Sequence, residues 1–268
     1  MAGLTVTVVM CAYNELARTR ACLDSLRATT TPFSLVLMDN GSTDGTPNAI
    51  RSASYPFPID YVRSETNEPV IATLNQGWRR ARSDAICFLH NDTEMPDPAW
   101  LAKLTTALGS PGVGLAGLYG AKRVRKTGTL SSRTIVHSLL PTPTVKAPWE
   151  EVAFVDSVCM TVRRETLEQV GGLDESYGFY HGLDRELSFR IRSQGLRCVV
   201  VQTEFIHHGG ATRTRDFKSA PKRERTDLSA RASAMKRFAT KWRSSLPADV
   251  RPPRERLLSW LQSRVARN

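Results

Sequence analysis

The stretch from Asp84 to Leu101 constrains the fold more than any other part of the chain. Ala85–Leu89 is an apolar run of strand length that ends abruptly in His90-Asn91-Asp92. Pro96-Asp97-Pro98 then stops the strand and starts a helix. Polar side chains at the carboxyl end of a buried strand stand where open α/β sheets bind ligands. A carboxylate there, flanked by an imidazole and an amide, suits a hard divalent cation that neutralises phosphate. The same residues fit an ordinary strand exit closed by an Asx turn, so the rest of the chain has to decide.

That run is one of a series. Leu4–Met10, Ser34–Met38 and Ile59–Arg63 read as strands, separated by helices over Glu15–Arg27, from Asp44 to about Ser52, and over Val70–Arg82. Another helix is expected from about Pro98 to Leu108. Strands alternating with helices predict a doubly wound, mostly parallel α/β sheet with flanking helices. Its first half presents four strand ends along one edge. The second half is less regular, with strands expected at Gly112–Tyr119, Phe154–Val162 and Leu196–Val201. Short helices are expected at Arg164–Val170 and Asp184–Gln194, the latter stopped by Gly195. Lys122–Val145 is polar, Thr/Ser-rich and poorly periodic, and reads as a loop or flap.

A length of 268 residues suits one large α/β domain with an appendage. No apolar run approaches a membrane span, and Leu4–Tyr13 lacks the basic leader of a secretory signal. The 5 cysteines are scattered and mostly set in apolar runs, the pattern of reduced core thiols in a cytoplasmic protein. Charge divides the chain. Residues 1–212 carry 21 Lys/Arg against 21 Asp/Glu, whereas residues 213–268 carry 16 against 5 and so supply the whole net charge of +11. The chain therefore reads as a neutral domain over 1–212 (ligand-binding half about 1–110, second half about 111–212) and a basic helical tail over 213–268. Leu228, Met235, Phe238 and Trp242 fall near helical spacing in that tail, and Leu257, Leu258, Trp260, Leu261 and Val265 form a second amphipathic stretch. Residues 222–268 suit an anionic membrane surface, which would make the protein peripheral at an inner membrane face; they suit packing on the body equally. Nucleic acid is a weaker match, because no recognised motif accompanies the charge.

Two more strand ends are polar. The first closes in Cys11-Ala-Tyr-Asn-Glu15 and the second in Asp39-Asn-Gly-Ser42, both on the edge that carries His90-Asn91-Asp92 in a parallel sheet. A carboxylate at such a tip can accept the imide N–H of a uracil or thymine ring. Glu15 is placed to reach ribose hydroxyls, and Gly41 and Gly45 allow tight turns near a ligand.

These segments together resemble the family 2 glycosyltransferases. The match runs through Val8-Val-Met-Cys-Ala-Tyr-Asn-Glu15, Asp39-Asn-Gly-Ser-Thr-Asp-Gly45, Asn67 to Leu74-Asn-Gln-Gly77, and His90-Asn-Asp-Thr-Glu94. It continues in Gly171-Gly-Leu-Asp-Glu175, Gly182-Leu-Asp-Arg-Glu-Leu-Ser-Phe-Arg190 and His207-His-Gly-Gly-Ala-Thr212. The resemblance implies a GT-A fold and inverting transfer of a sugar from a nucleoside-diphosphate donor to a hydroxyl acceptor. By the same resemblance Asp39 recognises the base, helped by Ala12, Tyr13, Asn14 and Glu15, with Asn67, Asn75 and Asn91 near the donor. Asp92 is the implied ligand of a divalent ion, Mg²⁺ or Mn²⁺, aided by His207 and, as a further candidate, His90. Asp184 takes the place of the catalytic base. Leu183, Trp149 and Tyr180 are candidates for the acceptor side.

Three departures from the family pattern matter. His90 replaces the first Asp of Asp-x-Asp, Leu183 replaces the acidic partner that precedes the base, and Pro69 stands where many relatives have Gly. Relatives that use deoxysugar donors, a rhamnosyltransferase-like branch, also lack that first Asp, so a dTDP-sugar competes with the commoner UDP-sugar. The acceptor is open among a lipid-linked saccharide, a protein and a small molecule. The alternative is a nucleotide-sugar-binding module that has lost catalysis. Asp184 as a plain helix N-cap is the structural alternative for that residue.

Overall fold

The apolar runs of the first half pair side by side, as their composition requires. The computed structural model of the protein describes residues 3–135, 145, 147–209 and 221–257. Strands β1 (Val6–Ala12), β2 (Ser34–Asp39), β3 (Ile59–Arg63) and β4 (Ala85–Leu89) lie parallel in the order β3-β2-β1-β4. Helices α1 (Leu16–Ser25), α2 (Thr46–Ser52) and α3 (Val70–Arg80) connect them, and α4 (Trp100–Gly109) follows. Successive side chains of each strand point to opposite faces, and both faces are covered. Val9, Val36, Met38, Ile86 and Phe88 pack on one side, Val8, Met10, Leu35, Leu37 and Cys87 on the other. Burial on both faces is why β1, β2 and β4 read as apolar runs, whereas the edge strand β3 leaves Asp60 and Arg63 exposed. Gly77 lets α3 close on the sheet, since a Cβ there would lie 2.7 Å from Val9 Cγ1.

Beyond the short strand β5 (Thr93–Glu94), the sheet continues with β6 (Val113–Gly117). The chain then forms β7 (Tyr119–Val124), β8 (Leu130–Ile135), β9 (Trp149–Val152), β10 (Phe154–Val155), β11 (Cys159–Arg163) and β12 (Arg197–Val201). Strand β11 inserts antiparallel between β4 and β6, β12 runs parallel to β6, and β9 closes the edge antiparallel. The result is an 8-stranded, mostly parallel sheet with flanking helices. Helices α5 (Arg164–Gln169), α6 (Leu183–Ser193) and α7 (Pro221–Lys241) and the strands β13 (Ile206–His207) and β14 (Ala248–Asp249) complete the described chain.

Two expectations are corrected here. Phe154–Val162 is two strands in different sheets, β10 and β11, because the polar pair Asp156-Ser157 breaks the run. The expected flap is in large part a hairpin. Strand β8 pairs antiparallel with β7 from Tyr119↔Ile135 to Val124↔Leu130, and β9 lies beyond it; residues 136–144 and 146 of that stretch lie outside the described residues. The Thr- and Ser-rich residues hide a strand because their backbone pairing needs no clean apolar alternation. Of the two readings left open for the tail, its described part packs on the body. Phe238 is fully buried, edge-on to Phe189 with ring centroids 4.8 Å apart, and Trp242 is 5.5 Å from the same ring. Strand β14 pairs with β7, Ala248 beside Val124. Leu228 stays 55% exposed, and the stretch from Leu258 onward lies outside the described residues.

Candidate active site

The register of the parallel strands brings the predicted tips together. Ala12 pairs with Asp39, Asp39 with Arg63, and Val9 with Phe88, so the loops after β1, β2, β3 and β4 leave one edge. Asn14 and Glu15 both take left-handed backbone, φ 54° and 58°, a conformation that non-glycine residues keep only when their surroundings enforce it. The enforcement is visible. Asn14 Oδ1 accepts the amides of Thr43 (2.8 Å) and Asp44 (3.2 Å), and the Asn14 amide donates to Ser42 Oγ at 2.9 Å. Asn14 therefore ties the first loop to the second. Gly41, at φ 80°, could carry no Cβ, which would sit 2.6 Å from the carbonyl carbon of Thr66.

Asp39 is 1% exposed. Its Oδ1 accepts the Ser42 amide at 2.9 Å and its Oδ2 accepts the Tyr61 hydroxyl, with Arg63 Nε 3.7 Å away. Tyr61 is a member of this site that sequence reasoning missed. Burial and the bond to Asp39 raise its pKa, so the phenol remains a donor. The clue lay in its position, two residues short of the end of β3 on the shared edge. Asn40 links the knot further: its amide donates to Ala12 O at 2.7 Å and its side chain to Asn67 Oδ1 at 2.9 Å. Ala12, Tyr13, Asn14, Glu15, Asp39 and Asn67 thus share one cluster of loops.

The exit of β4 builds a second group beside it. One ligating atom each from His90, Asp92 and His207 lie within 4.8 Å of one another. His207 Nε2 is 3.2 Å and His90 Nδ1 3.9 Å from Asp92 Oδ1. The β5–β13 ribbon sets this arrangement, pairing His207 with Thr93, and the His208 amide donates to Asp92 O at 3.0 Å. Asn91 turns the other way and donates to Thr19 Oγ1 at 2.9 Å, anchoring the turn to α1. Burial opposes ionisation of Asp92, but the bond to His207 and the fields of His90 and His207 outweigh it and hold the carboxyl below its usual range. Desolvation pushes His90 down to about 4 against the pull of Asp92 and Asp184. An ionised carboxylate beside a neutral imidazole is the protonation pattern that a cation site requires.

Asp184 approaches this group from α6. It is the second residue of the helix, whose N-cap is Gly182 in left-handed backbone, so the plain N-cap reading does not hold. The carboxylate is 9% exposed, accepts the Arg185 amide at 2.8 Å, and lies within electrostatic reach of His90 and Asp156. Leu183 beside it is buried. Asp156 is the second residue that sequence reasoning missed, hidden in the apolar run it interrupts. Desolvation first and the charge of Asp184 second raise its carboxyl from 3.8 to about 6. Between those values the folded chain holds a proton that the unfolded chain has lost, so this contribution to stability fades as pH rises through the interval. Asp156→Asn is expected to remove that component. Urea unfolding of both proteins across pH 4 to 7 checks it, and parallel stability profiles would refute the assignment.

Three expected residues lie apart. Asn75 is 1% exposed and spends its amide on the Leu173 backbone (3.0 and 2.9 Å), Trp78 Nε1 (2.8 Å) and Glu175 (2.7 Å). It fastens the 173–175 loop to α3 in place of the expected donor contact. Trp149 sits on edge strand β9, with β4, β11, β6 and β12 between it and β1, under the Arg197 guanidinium at 5.3 Å. Tyr180 lies on the loop before Asp184 and donates its hydroxyl to Asp227 of α7.

The sequence profile described as Glycosyl transferase family 2 matches residues 7–171. The chain belongs to this family. This family 2 glycosyltransferase chain is 30% identical over 218 residues to the O-antigen biosynthesis protein RfbC of Myxococcus xanthus, covering 74% of the chain and 17% of the relative. It is 24% identical over 215 residues to the pre-mycofactocin glycosyltransferase of Mycobacterium tuberculosis, covering 79% of the chain and 44% of the relative. The chain thus spans less than half the length of these two relatives. In three dimensions it is similar to the mannosyltransferase PcManGT from Pyrobaculum calidifontis, solved with GDP-Man and Mn²⁺, at a TM-score of 0.61 and 20% identity over 98% of this chain and 81% of the other. It is also similar to GalNAc-T7, solved with UDP, GalNAc and Mn²⁺, at a TM-score of 0.63 and 16% identity over 76% and 43%. The fold of the family 2 chain is the GT-A fold. Among the described residues, no helix is long and apolar enough to cross a membrane.

Proposed function

We propose that the chain is an inverting glycosyltransferase that moves a sugar from a UDP- or dTDP-linked donor to a hydroxyl acceptor. The observation that carries this reading is the meeting, on one sheet edge, of the Asp39 pocket, the His90–Asp92–His207 group and the carboxylate of Asp184. Asp39, held by Tyr61 and Ser42, offers a buried acceptor to the imide N–H of a pyrimidine base. With both its oxygens already engaged, it suits a single N–H donor better than the paired donors of guanine. Asp184 accepts the proton of the acceptor hydroxyl as that oxygen bonds to the anomeric carbon and the bond to the diphosphate oxygen breaks.

The donor set fits a divalent ion, with Asp92 and His207 as ligands and His90 as a third. When bound, such an ion supplies positive charge opposite the departing diphosphate. Two imidazoles beside one carboxylate favour Mn²⁺ over Mg²⁺, which prefers all-oxygen surroundings. The solved relatives that hold Mn²⁺ with GDP-Man or UDP support this. The relative named for O-antigen biosynthesis supports a cell-surface saccharide as acceptor class, and the lysines and arginines of residues 222–268, not their apolar side packed on Phe189, support an approach to an anionic membrane. The inactive nucleotide-sugar-binding module is the second reading, favoured by Leu183 at the place of an acidic residue.

A donor panel tests the proposal: calorimetric binding of UDP, dTDP and GDP with and without Mn²⁺, and NMR of the sugar released or transferred from the matching donors. Mn²⁺-dependent binding of UDP or dTDP, with inversion at the anomeric carbon, is the expected result. Binding without any turnover would favour the inactive module; absence of all nucleotide binding would overturn both readings.

A further inference from the structure

The segment from Asp174 to Gly182 delivers Asp184 to the site, yet it has little structure of its own. It holds one turn of 3-10 helix (Glu175–Tyr177) and two glycines in left-handed backbone, Gly178 and Gly182. Part of its fixation comes from α3, where Asn75 donates to Glu175 at 2.7 Å and the Ile71 amide to Phe179 O at 3.3 Å, and the rest comes from α7. Asp227 Oδ1 accepts both the Tyr180 hydroxyl and, at 2.9 Å, His181 Nε2, so one carboxylate oxygen pins consecutive residues just ahead of the base. Ala234 packs against Gly182 itself, 3.5 Å from where a Cβ would be.

The far side of Asp184 is held by the same helix. Glu186 is fully buried and accepts the Tyr177 hydroxyl (2.8 Å), the Trp242 indole N–H (2.8 Å) and the Lys241 ammonium. Arg237 adds a bond to Ser176 O at 3.0 Å. A buried carboxylate demands such partners, and here Lys241 at the end of α7 and Trp242 just beyond it contribute two of them. Residues on both flanks of Asp184 are therefore bound to one helix that lies outside the family-matched residues 7–171.

We propose that α7 is the positioning element of the base, with Asp227 the residue through which it fixes the approach to Asp184. The inference rests on the reading of Asp184 as general base. Displacement of a reacting group by about 1 Å already costs on the order of 100-fold in rate. Because α7 makes none of the described contacts to the Asp39 pocket, its loosening should leave nucleotide affinity alone.

The test uses the full chain and measures nucleoside-diphosphate release, with water as acceptor, from UDP-glucose, UDP-N-acetylglucosamine, dTDP-rhamnose and GDP-mannose. Asp227→Ala is expected to lower kcat by about 10- to 100-fold while nucleotide Kd by calorimetry stays within about twofold. Asp227→Asn retains an acceptor oxygen for Tyr180 and should recover most of the loss; it also carries the test should the alanine variant fail to fold. Unchanged kcat in Asp227→Ala would overturn the proposal, as would a fall in nucleotide affinity that tracks the fall in kcat. Asp184→Asn separates the two ideas. If that variant keeps its rate, the base assignment fails; if it is dead while Asp227→Ala is fully active, only the role of α7 fails.

Discussion

Asp184→Asn is expected to lose transfer by about 10²- to 10⁴-fold, the contribution of a positioned general base, while nucleotide binding is unchanged. The substitution is close to isosteric. Asparagine keeps the oxygen that accepts the Arg185 amide, preserves the first turn of α6 and leaves the packing of buried Leu183 alone. It removes the negative charge, and with it the capacity to take a proton, the 3.5 Å ion pair with Arg185 and the field felt by Asp156 and His90. Steady-state transfer or donor hydrolysis, set beside calorimetry of the nucleotide, reads the two quantities separately. A variant with wild-type turnover would remove Asp184 from the chemistry and direct attention to Asp156, the carboxylate whose field it shares.

Asp92→Ala should abolish the metal-dependent part of nucleotide binding. Asp92 is the shared neighbour of His90 and His207, and the anionic member of the group. Its loss leaves two imidazoles without a carboxylate between them. Ion affinity should fall by at least the roughly 10- to 100-fold that removal of a mere supporting partner costs. The measurement is nucleotide affinity against Mn²⁺ and Mg²⁺ concentration for both proteins. In the wild type Mn²⁺ should act at the lower concentration, as the imidazoles dictate. An Asp92→Ala protein that still binds nucleotide in an Mn²⁺-dependent way would place the ion elsewhere.

The donor side of this molecule was legible in the sequence because its physics is local. Each of β1, β2 and β4 is an apolar run buried on both faces, and each ends in the polar residues that face the ligand edge. The pairing Ala12↔Asp39 then follows from parallel order alone. The other side was harder to read for reasons that individual residues make plain. Asp156 sits inside what looks like one strand, and only the switch from β10 to β11 shows it as a deliberate break. Asn75 falls within a family-like motif, but the Leu173 backbone, over 90 residues away, consumes its amide. Phe238 and Trp242 have the spacing that suits a membrane surface or a protein core equally well, and Phe189, the ring that decides between them, is distant in sequence. Long-range partners settled each case, and periodicity does not encode them.

The pairing of β14 with β7 bears on the order in which a growing chain acquires its parts. Synthesis runs from the amino end, and a domain generally folds as a unit. Strands β1 to β4 and the helices between them are complete by Gly109, so the pocket around Asp39 has all its strands early. The brace around Asp184 waits for Lys241 and Trp242, and the small sheet closes only when Ala248 meets Val124. The residues proposed for donor recognition are therefore synthesised well before those proposed to brace the base, and the core that joins Val9 and Phe88 to Phe154 and Phe238 closes last.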